Sequence, residues 1–177
     1  MTEAHLARAE GGWLEPEGDG WYVLNAQDAK WLTSDQLGAY TSFEGVESWP
    51  ELGLNVNWLP PGAPMAMYHH EPQQEGFLVL DGEALLIIDG EERPLKRWDY
   101  VHCPRDVPHV IVGAGEKGAV TLAVGNRTGP RGVGYPVDET ALKHGAGVEV
   151  ATDSPKEAYA KFAPMEPSTY PDGLLPG

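Results

Sequence analysis

The sequence predicts an all-β fold, an antiparallel sandwich or barrel, and three observations support this class. From about residue 38, short apolar runs that are typical of strands follow one another at close spacing. Glycine and proline, with 22 and 16 copies in 177 residues, interrupt these runs. Strands do not alternate with long helical segments, so a parallel sheet is disfavoured.

Each element is predicted from its local pattern. Residues 2–10 are expected to form a short helix with Thr2 as N-cap, and residues 21–24 a strand. The strands of the main β region are predicted at 40–43, 52–59, 64–71, 77–80, 84–88, 92–95, 98–103, 109–112 and 119–124. Asp89-Gly90 predicts a two-residue hairpin turn, because that turn needs positive φ at both positions. A second turn is predicted at 113–118.

The last fifty residues have a different character. Helices are predicted at 138–144 and 154–162, the second beginning with Ser154 as N-cap and Pro155 at its first position. The proline-rich tail, 164–177, is expected to lack regular structure and to wrap the barrel or pack on a partner. The predicted division is an N-terminal extension (1–39), a β-barrel (40–125) and a C-terminal extension (126–177).

The chain is strongly acidic, with 27 Asp and Glu against 12 Lys and Arg and a formal charge of −15. Such a surface repels phosphate backbones and anionic lipids, so neither nucleic acid nor a membrane is expected as a partner. Cys103 is the single cysteine, and the first residues lack a basic region followed by an apolar run. A cytoplasmic protein without disulfides is therefore expected.

Imidazole and carboxylate groups are concentrated in two short segments, 68–75 and 103–109. Side chains alternate between faces along a strand, so parity decides which residues share a site. The odd-numbered residues of the strand at 64–71 are Met65, Met67, His69 and Glu71. Two apolar side chains followed by two potential ligands fit an interior face that leads to a polar opening. Glu75 and His109 begin the next segments and could join this site.

These two segments resemble the two motifs of the cupin superfamily, in the form found in small single-domain bacterial cupins. In the first, His69-x-Glu71 is followed after three residues by Glu75 and after six more by Gly82, with Glu71 in place of the second histidine. In the second, Pro104 and His109 match, whereas the glycines and the asparagine of the motif are replaced. The resemblance implies a double-stranded β-helix, a jelly-roll barrel, with short helices in the N- and C-terminal extensions.

The resemblance also implies one divalent metal ion, Mn, Fe, Ni, Co or Zn, bound by four residues. These are His69, Glu71, Glu75 and His109. A second alignment of the first motif replaces His69 and Glu71 with His70, and brings the Tyr68 hydroxyl near the site. Strand parity favours the first alignment.

Two functions follow as hypotheses. The first is a metalloenzyme acting on a small organic molecule by oxygenase, isomerase or lyase chemistry, which proteins of this resemblance carry out. The alternative is a non-catalytic barrel that binds a small ligand, with a structural ion or without metal. A homodimer is expected, because uncovered strand edges invite pairing between copies.

Overall fold

The computed structural model describes residues 2–45 and 48–176, and in these ranges ten strands and two short helices form. The strands are β1 (His5–Arg8), β2 (Leu14–Glu17), β3 (Trp31–Ser34), β4 (Gly38–Ser42), β5 (Leu52–Leu59), β6 (Glu75–Ile88), β7 (Glu91–Lys96), β8 (Tyr100–Cys103), β9 (His109–Asn126) and β10 (Glu166–Ser168). The helices are α1 (Glu139–Lys143) and α2 (Pro155–Ala158). The predicted all-β class is confirmed. In the described part of the chain, no helix is long and apolar enough to cross a bilayer.

Eight strands form one antiparallel sheet that bends back on itself. Its order is β10-β3-β4-β5-β9-β6-β7, and β8 pairs with the first part of β6. The two long strands, β6 with 14 residues and β9 with 18, pair along most of their length. Their register shifts between Val79 and Asp81 and again between Gly82 and Glu83. Such irregularities bend strands, and here they let the sheet wrap into the predicted jelly-roll barrel.

The second predicted turn is a corner inside β9. Four residues, 115–118, lie between Ala114 and Ala119, which pair with consecutive residues of β6. Gly118 has a φ of 73°, and a Cβ at this position would collide with the carbonyl oxygen of Leu59. A glycine is therefore required where the long strand turns from one part of the sheet to the other.

The helix predicted over residues 2–10 is wrong, because this segment contains β1, which forms a hairpin with β2. A helix of nine residues is marginal in water without packing, whereas Gly12, with a φ of 97°, permits a tight turn. Both helices in the described ranges therefore lie in the C-terminal extension. The strand predicted at 21–24 is reduced to one isolated bridge at Trp21.

The C-terminal extension covers the outside of the barrel, and its proline-rich tail takes one of the two arrangements predicted for it. Ala141 and Ala146, in and after α1, pack against Ile87, and Tyr170 packs against the buried Trp31. The tail was expected to lack regular structure, but it includes β10, which pairs with β3. Strands from both extensions thus join the main sheet. The predicted division of the chain at residues 39/40 and 125/126 stays a prediction.

Candidate metal centre and its cavity

Two histidines and a glutamate converge inside the barrel. One potential ligand atom from each of His69, Glu75 and His109 lies within 4.8 Å of the others. His69 and His109 face each other in an antiparallel bridge, with ring centroids 5.2 Å apart. Glu75 begins β6, and its Oε2 lies 3.2 Å from His109 Nε2. We call these three residues the ligand cluster.

Both imidazoles are held by the same kind of backbone contact. Nδ1 of His69 lies 2.7 Å from the carbonyl oxygen of Met67, and Nδ1 of His109 lies 2.9 Å from that of Val107. In each case the carbonyl belongs to the residue two positions before the histidine. A carbonyl oxygen can only accept, so each Nδ1 carries a proton and donates it. Nε2 is then the nitrogen that each ring has available as a ligand.

The Nε2 atom of His109 is the strongest indication that the cluster binds something. The side chain is 3% exposed, and Glu75 Oε2 lies 3.2 Å from this nitrogen as an ion-pair partner, but the two atoms form no hydrogen bond of good geometry in the described residues. Buried polar atoms without a partner are rare in folded proteins. A divalent ion bound to this nitrogen and to the Glu75 carboxylate would satisfy both, so the residues present fit a metal.

The charges of the cluster depend on one another. Burial lowers the pKa of His69, and His109 beside it lowers that pKa further. Burial opposes the charge of His109 too, but contacts with Cys103, Glu75 and the Val107 carbonyl raise its pKa to about 10. Burial would raise the pKa of Glu75, but the two histidines hold it below its ordinary range. Without a metal, an imidazolium at His109 therefore faces an ionised Glu75 beside a neutral His69.

Glu71, the other residue predicted as a ligand, lines the same cavity but lies outside the ligand cluster. Its carbonyl oxygen accepts a hydrogen bond of 2.8 Å from the Asp106 N–H, which fixes it to the loop before His109. Burial raises the pKa of its carboxyl group, and the nearby charge of Glu75 raises it further. Within the described residues this carboxylate has no hydrogen bond or ion pair, so it is available to a molecule in the cavity.

The residues of the second alignment lie elsewhere. Tyr68 is buried and packs with Ile87 on the outer side of the sheet. The His70 ring lies against Gly134, with which its backbone pairs. The structure thus brings His69, and not His70, to Glu75 and His109. The strand predicted at 64–71 is reduced to isolated bridges, in which His69 pairs with His109 and His70 pairs with Gly134, so the two neighbouring side chains meet different partners.

The ligand cluster opens into a cavity of about 1020 Å³. Polar side chains from β4, β5 and the residue before β3 line another part of it, and we call this set the amide wall. The amide wall consists of Lys30, Tyr40, Ser42, Asn55 and Asn57. Tyr159, which follows α2, also lines the cavity, and its hydroxyl oxygen accepts a hydrogen bond of 3.0 Å from the Met67 N–H.

Neither the amide wall nor Tyr159 was identified from the sequence. A signal for the wall was present in β5, where Asn55 and Asn57 stand two positions apart in an otherwise apolar strand. Two amides on one face of such a strand indicate a polar interior surface. Tyr159 had no comparable signal, because it reaches the cavity only through the packing of the C-terminal extension on the barrel.

Comparisons with known proteins agree with the fold. Residues 58–125 match a family model described as "Cupin domain". A solved structure named as a sugar phosphate isomerase from a cupin superfamily, from Silicibacter pomeroyi, is 26% identical with a TM-score of 0.51, over 64% of this chain and 68% of that one.

Two further structures match more weakly. A protein from Acidithiobacillus ferrooxidans, assigned as a sugar phosphate isomerase, is 22% identical with a TM-score of 0.47, over 54% of this chain and 64% of that one. A DMSP lyase from Ruegeria pomeroyi is 21% identical with a TM-score of 0.45, over 60% of this chain and 51% of that one. This chain thus spans less than two thirds of either structure. No protein of curated function matches the sequence.

Proposed function

Because the chain is a member of the cupin superfamily, we propose that it is a metal-dependent enzyme acting on a small organic molecule inside its barrel. The observation that carries this proposal is the convergence of His69, Glu75 and His109 around a buried nitrogen that has no hydrogen-bond partner among the described residues. The cavity beside them has the size typical of small-molecule sites.

The ligand cluster is proposed to hold one divalent ion. Two imidazole nitrogens and a carboxylate oxygen suit Mn, Fe, Ni, Co or Zn and disfavour Cu(I). When bound, such an ion supplies a Lewis acid that polarises a substrate oxygen. Glu71 lies outside the cluster, so its carboxylate acts on the substrate and not on the metal.

Glu71 and Tyr159 are proposed to move protons. The raised pKa of Glu71 brings its carboxyl group nearer to neutral pH, where it can take up a proton and return it. The Tyr159 oxygen accepts from the Met67 N–H, which leaves the hydroxyl proton free to be donated to a substrate oxygen. Burial and the charge of Glu71 raise the pKa of Tyr159 and keep it protonated. These roles favour isomerase or lyase chemistry, in line with the name of the structure from Silicibacter pomeroyi.

An oxygenase is the second candidate, and the composition of the ligand cluster favours it. Two histidines and one carboxylate are the ligand set of many non-haem iron oxygenases. Stoichiometric iron and substrate-dependent consumption of dioxygen would support this reaction over proton transfer. A preparation that binds no added divalent ion would instead support the non-catalytic binding barrel.

The experiment that tests the main proposal compares wild-type protein with Glu71→Gln. Metal content is measured first, and then deuterium incorporation from D₂O into a panel of sugar phosphates and hydroxy acids is followed by NMR. Glu71→Gln is expected to keep its metal and to lose exchange by about 10²- to 10⁴-fold, because it cannot accept the proton.

Glu116→Gln is the matched control, since Glu116 is exposed in the corner of β9. This substitution should leave both the metal content and the rate of deuterium exchange unchanged. Loss of metal from Glu71→Gln would contradict the proposed role and make Glu71 a ligand.

A homodimer is also proposed. The outside of the barrel exposes Trp98 and Tyr100, each 63% accessible, together with Leu52. Large exposed apolar side chains of this kind mark interaction surfaces. Light scattering is expected to give twice the 19.2 kDa of one chain, and a mass equal to one chain would contradict the dimer.

A further inference from the structure

Asn57 is a buried amide without a hydrogen-bond partner. Its side chain lines the cavity, the residue is 7% exposed, and Nδ2 makes no hydrogen bond in the described part of the chain. In the strand register it stands between Tyr40 of β4 and Thr121 of β9, so the three side chains share one face of the sheet. The Thr121 hydroxyl is also buried, and it too has no hydrogen-bond partner in residues 2–45 and 48–176. Neighbouring unsatisfied groups beside a cavity indicate a surface built for a ligand.

Residues that stand side by side across the strands form a row, and the next row on the same face carries a cation. Ser42 pairs with Asn55, and Lys30 occupies the position before β3 that continues this row. The Lys30 ammonium lies 5.3 Å from the centroid of the Trp13 ring, and no carboxylate within residues 2–45 and 48–176 lies within 4.0 Å of it. Arg127, which also lines the cavity, forms an ion pair with Glu44. Glu15 also lines the cavity, and its carboxylate accepts a hydrogen bond of 2.7 Å from Trp13 Nε1. Lys30 therefore supplies the amide wall with a positive charge that no carboxylate of the described residues pairs with.

We propose that the amide wall binds the carboxylate end of a small organic acid that carries further hydroxyl or keto oxygens. Asn57 and Tyr40 form hydrogen bonds with its oxygens, and Lys30 offsets its negative charge. One ammonium among neutral amides and hydroxyls matches a single charge, whereas a phosphate group favours several cations or a cluster of backbone N–H groups. The identification of this acid as the substrate depends on the proposed function, but its binding to the wall does not.

The position of the wall also limits the size of the acid. The row of Asn57 lies four residues along the strands from the row of Glu75, since Thr121 pairs with Val79 and Gly125 with Glu75. At about 3.3 Å per residue this is roughly 13 Å between backbone positions, and side chains on both sides shorten the gap. An acid of several carbons could therefore contact the wall with one end and approach the ligand cluster with the other.

A stability comparison tests the role of Asn57 without requiring any activity. If the amide serves a ligand, Asn57→Leu removes an unsatisfied group and is expected to raise the Tm of the ligand-free protein by about 2–4 °C. Asn55→Leu is the matched control on the same strand and face, because Asn55 Nδ2 donates a hydrogen bond of 3.4 Å to the Thr41 carbonyl oxygen. The control should lower the Tm. An equal loss of stability in both variants would overturn the assignment of Asn57.

Ligand binding is tested by thermal shift with D-gluconate and L-malate as acids, and sorbitol and inorganic phosphate as comparisons. At least one acid is expected to raise the wild-type Tm by about 2 °C or more, while sorbitol and phosphate do not. Asn57→Leu and Lys30→Met are expected to abolish this shift. No shift with either acid, or a shift that survives both substitutions, would overturn the proposal.

The same measurements are made on metal-loaded and metal-free protein, together with the metal content of each variant. Asn57→Leu should bind metal as the wild type does, because Asn57 lies outside the ligand cluster. If wild-type protein binds no metal, the proposed enzyme fails, but an acid-dependent shift in metal-free protein would still support the amide wall as a binding surface.

Discussion

The ligand cluster and the amide wall belong to one cavity, but they differ in how their polar atoms are held. In the cluster, each histidine is fixed by a backbone carbonyl, and the buried Nε2 of His109 has no hydrogen-bond partner among the described residues. In the wall, no hydrogen bond from the part of the chain that the structure describes fixes the amide nitrogen of Asn57. The imidazoles of the cluster are therefore held in place before anything binds, whereas the Asn57 amide nitrogen would gain its hydrogen bond from the proposed ligand. The comparison suggests that affinity for the ion and selectivity for the organic molecule reside in separate parts of the cavity.

The largest effect is expected from removing a ligand of the cluster. His109→Ala should weaken binding of Mn²⁺ by more than about 100-fold, because two of the three ligands cannot complete the site. Titration followed by elemental analysis measures the loss. His102→Ala is the control, since His102 is exposed on β8 and should bind metal normally. If His109→Ala and the wild type bound Mn²⁺ with equal affinity, the ligand cluster would not be the metal site and the comparison with the amide wall would fail.

Metal binding should also release a proton. In the metal-free protein the pKa of His109 is raised to about 10, while the pKa values of His69 and Glu75 both lie below the ordinary values of their side chains. At pH 8 only His109 carries a proton that the ion must displace, so about one proton is expected per ion bound. The release should fall towards zero as the pH rises above 10. Calorimetry in buffers of different ionisation enthalpy measures it, and no release at pH 8 would contradict the arrangement.

A smaller effect is expected from Cys103, whose Sγ lies 3.0 Å from His109 Nδ1. Its contact raises the pKa of His109, so Cys103→Ala should lower the pH at which proton release falls to one half. Cys103→Ser keeps a polar group in the same place and should give an intermediate value. The Val107 carbonyl still holds the ring in both variants, so metal affinity should change by no more than about 10-fold. An unchanged midpoint would show that the thiol has no influence on the cluster.

The smallest effect is expected beside the amide wall. Thr121→Val replaces a buried hydroxyl without a partner by a methyl group of similar shape, so the Tm should rise by about 2–4 °C. Thr41→Val is the control, because the equally buried Thr41 hydroxyl donates a hydrogen bond of 2.8 Å to the Lys30 carbonyl oxygen. That variant should lose stability in the same melting experiment. A loss in both would mean that the Thr121 hydroxyl is satisfied in solution.

The two regions also differ in how well the sequence predicts them. His69, Glu75 and His109 could be proposed as neighbours because ligand residue types, spacing and strand parity agree. Parity gives the face of a strand but not the distance between side chains, and Glu71 accordingly lies on the cavity wall without joining the cluster. Asn57 belongs to no sequence motif. It stands out only because its buried amide nitrogen has no hydrogen-bond partner in the described residues, and a sequence does not show whether such a partner is present.

The fold shows the same limit. The Gly and Pro pattern predicted most of the barrel strands, since turns and bulges have local requirements, but the strand predicted at 64–71 forms only isolated bridges. Residues 2–10 were predicted incorrectly, because the competing hairpin depends on residues 14–17, whose short polar sequence has no strand signal. Strand β10 likewise depends on β3, which lies more than 130 residues earlier in the chain. Long-range pairing of short segments is not encoded in their own composition.

The corner in β9 offers a practical opening for engineering. Glu116 and Lys117 project into solvent between two glycines, while β6 anchors the strand on both sides of them. A guest domain or fluorescent reporter inserted between these two residues would leave both flanking arms attached to the same neighbour. The barrel could equally be circularly permuted there, because residues 115–118 are not among those that line the cavity.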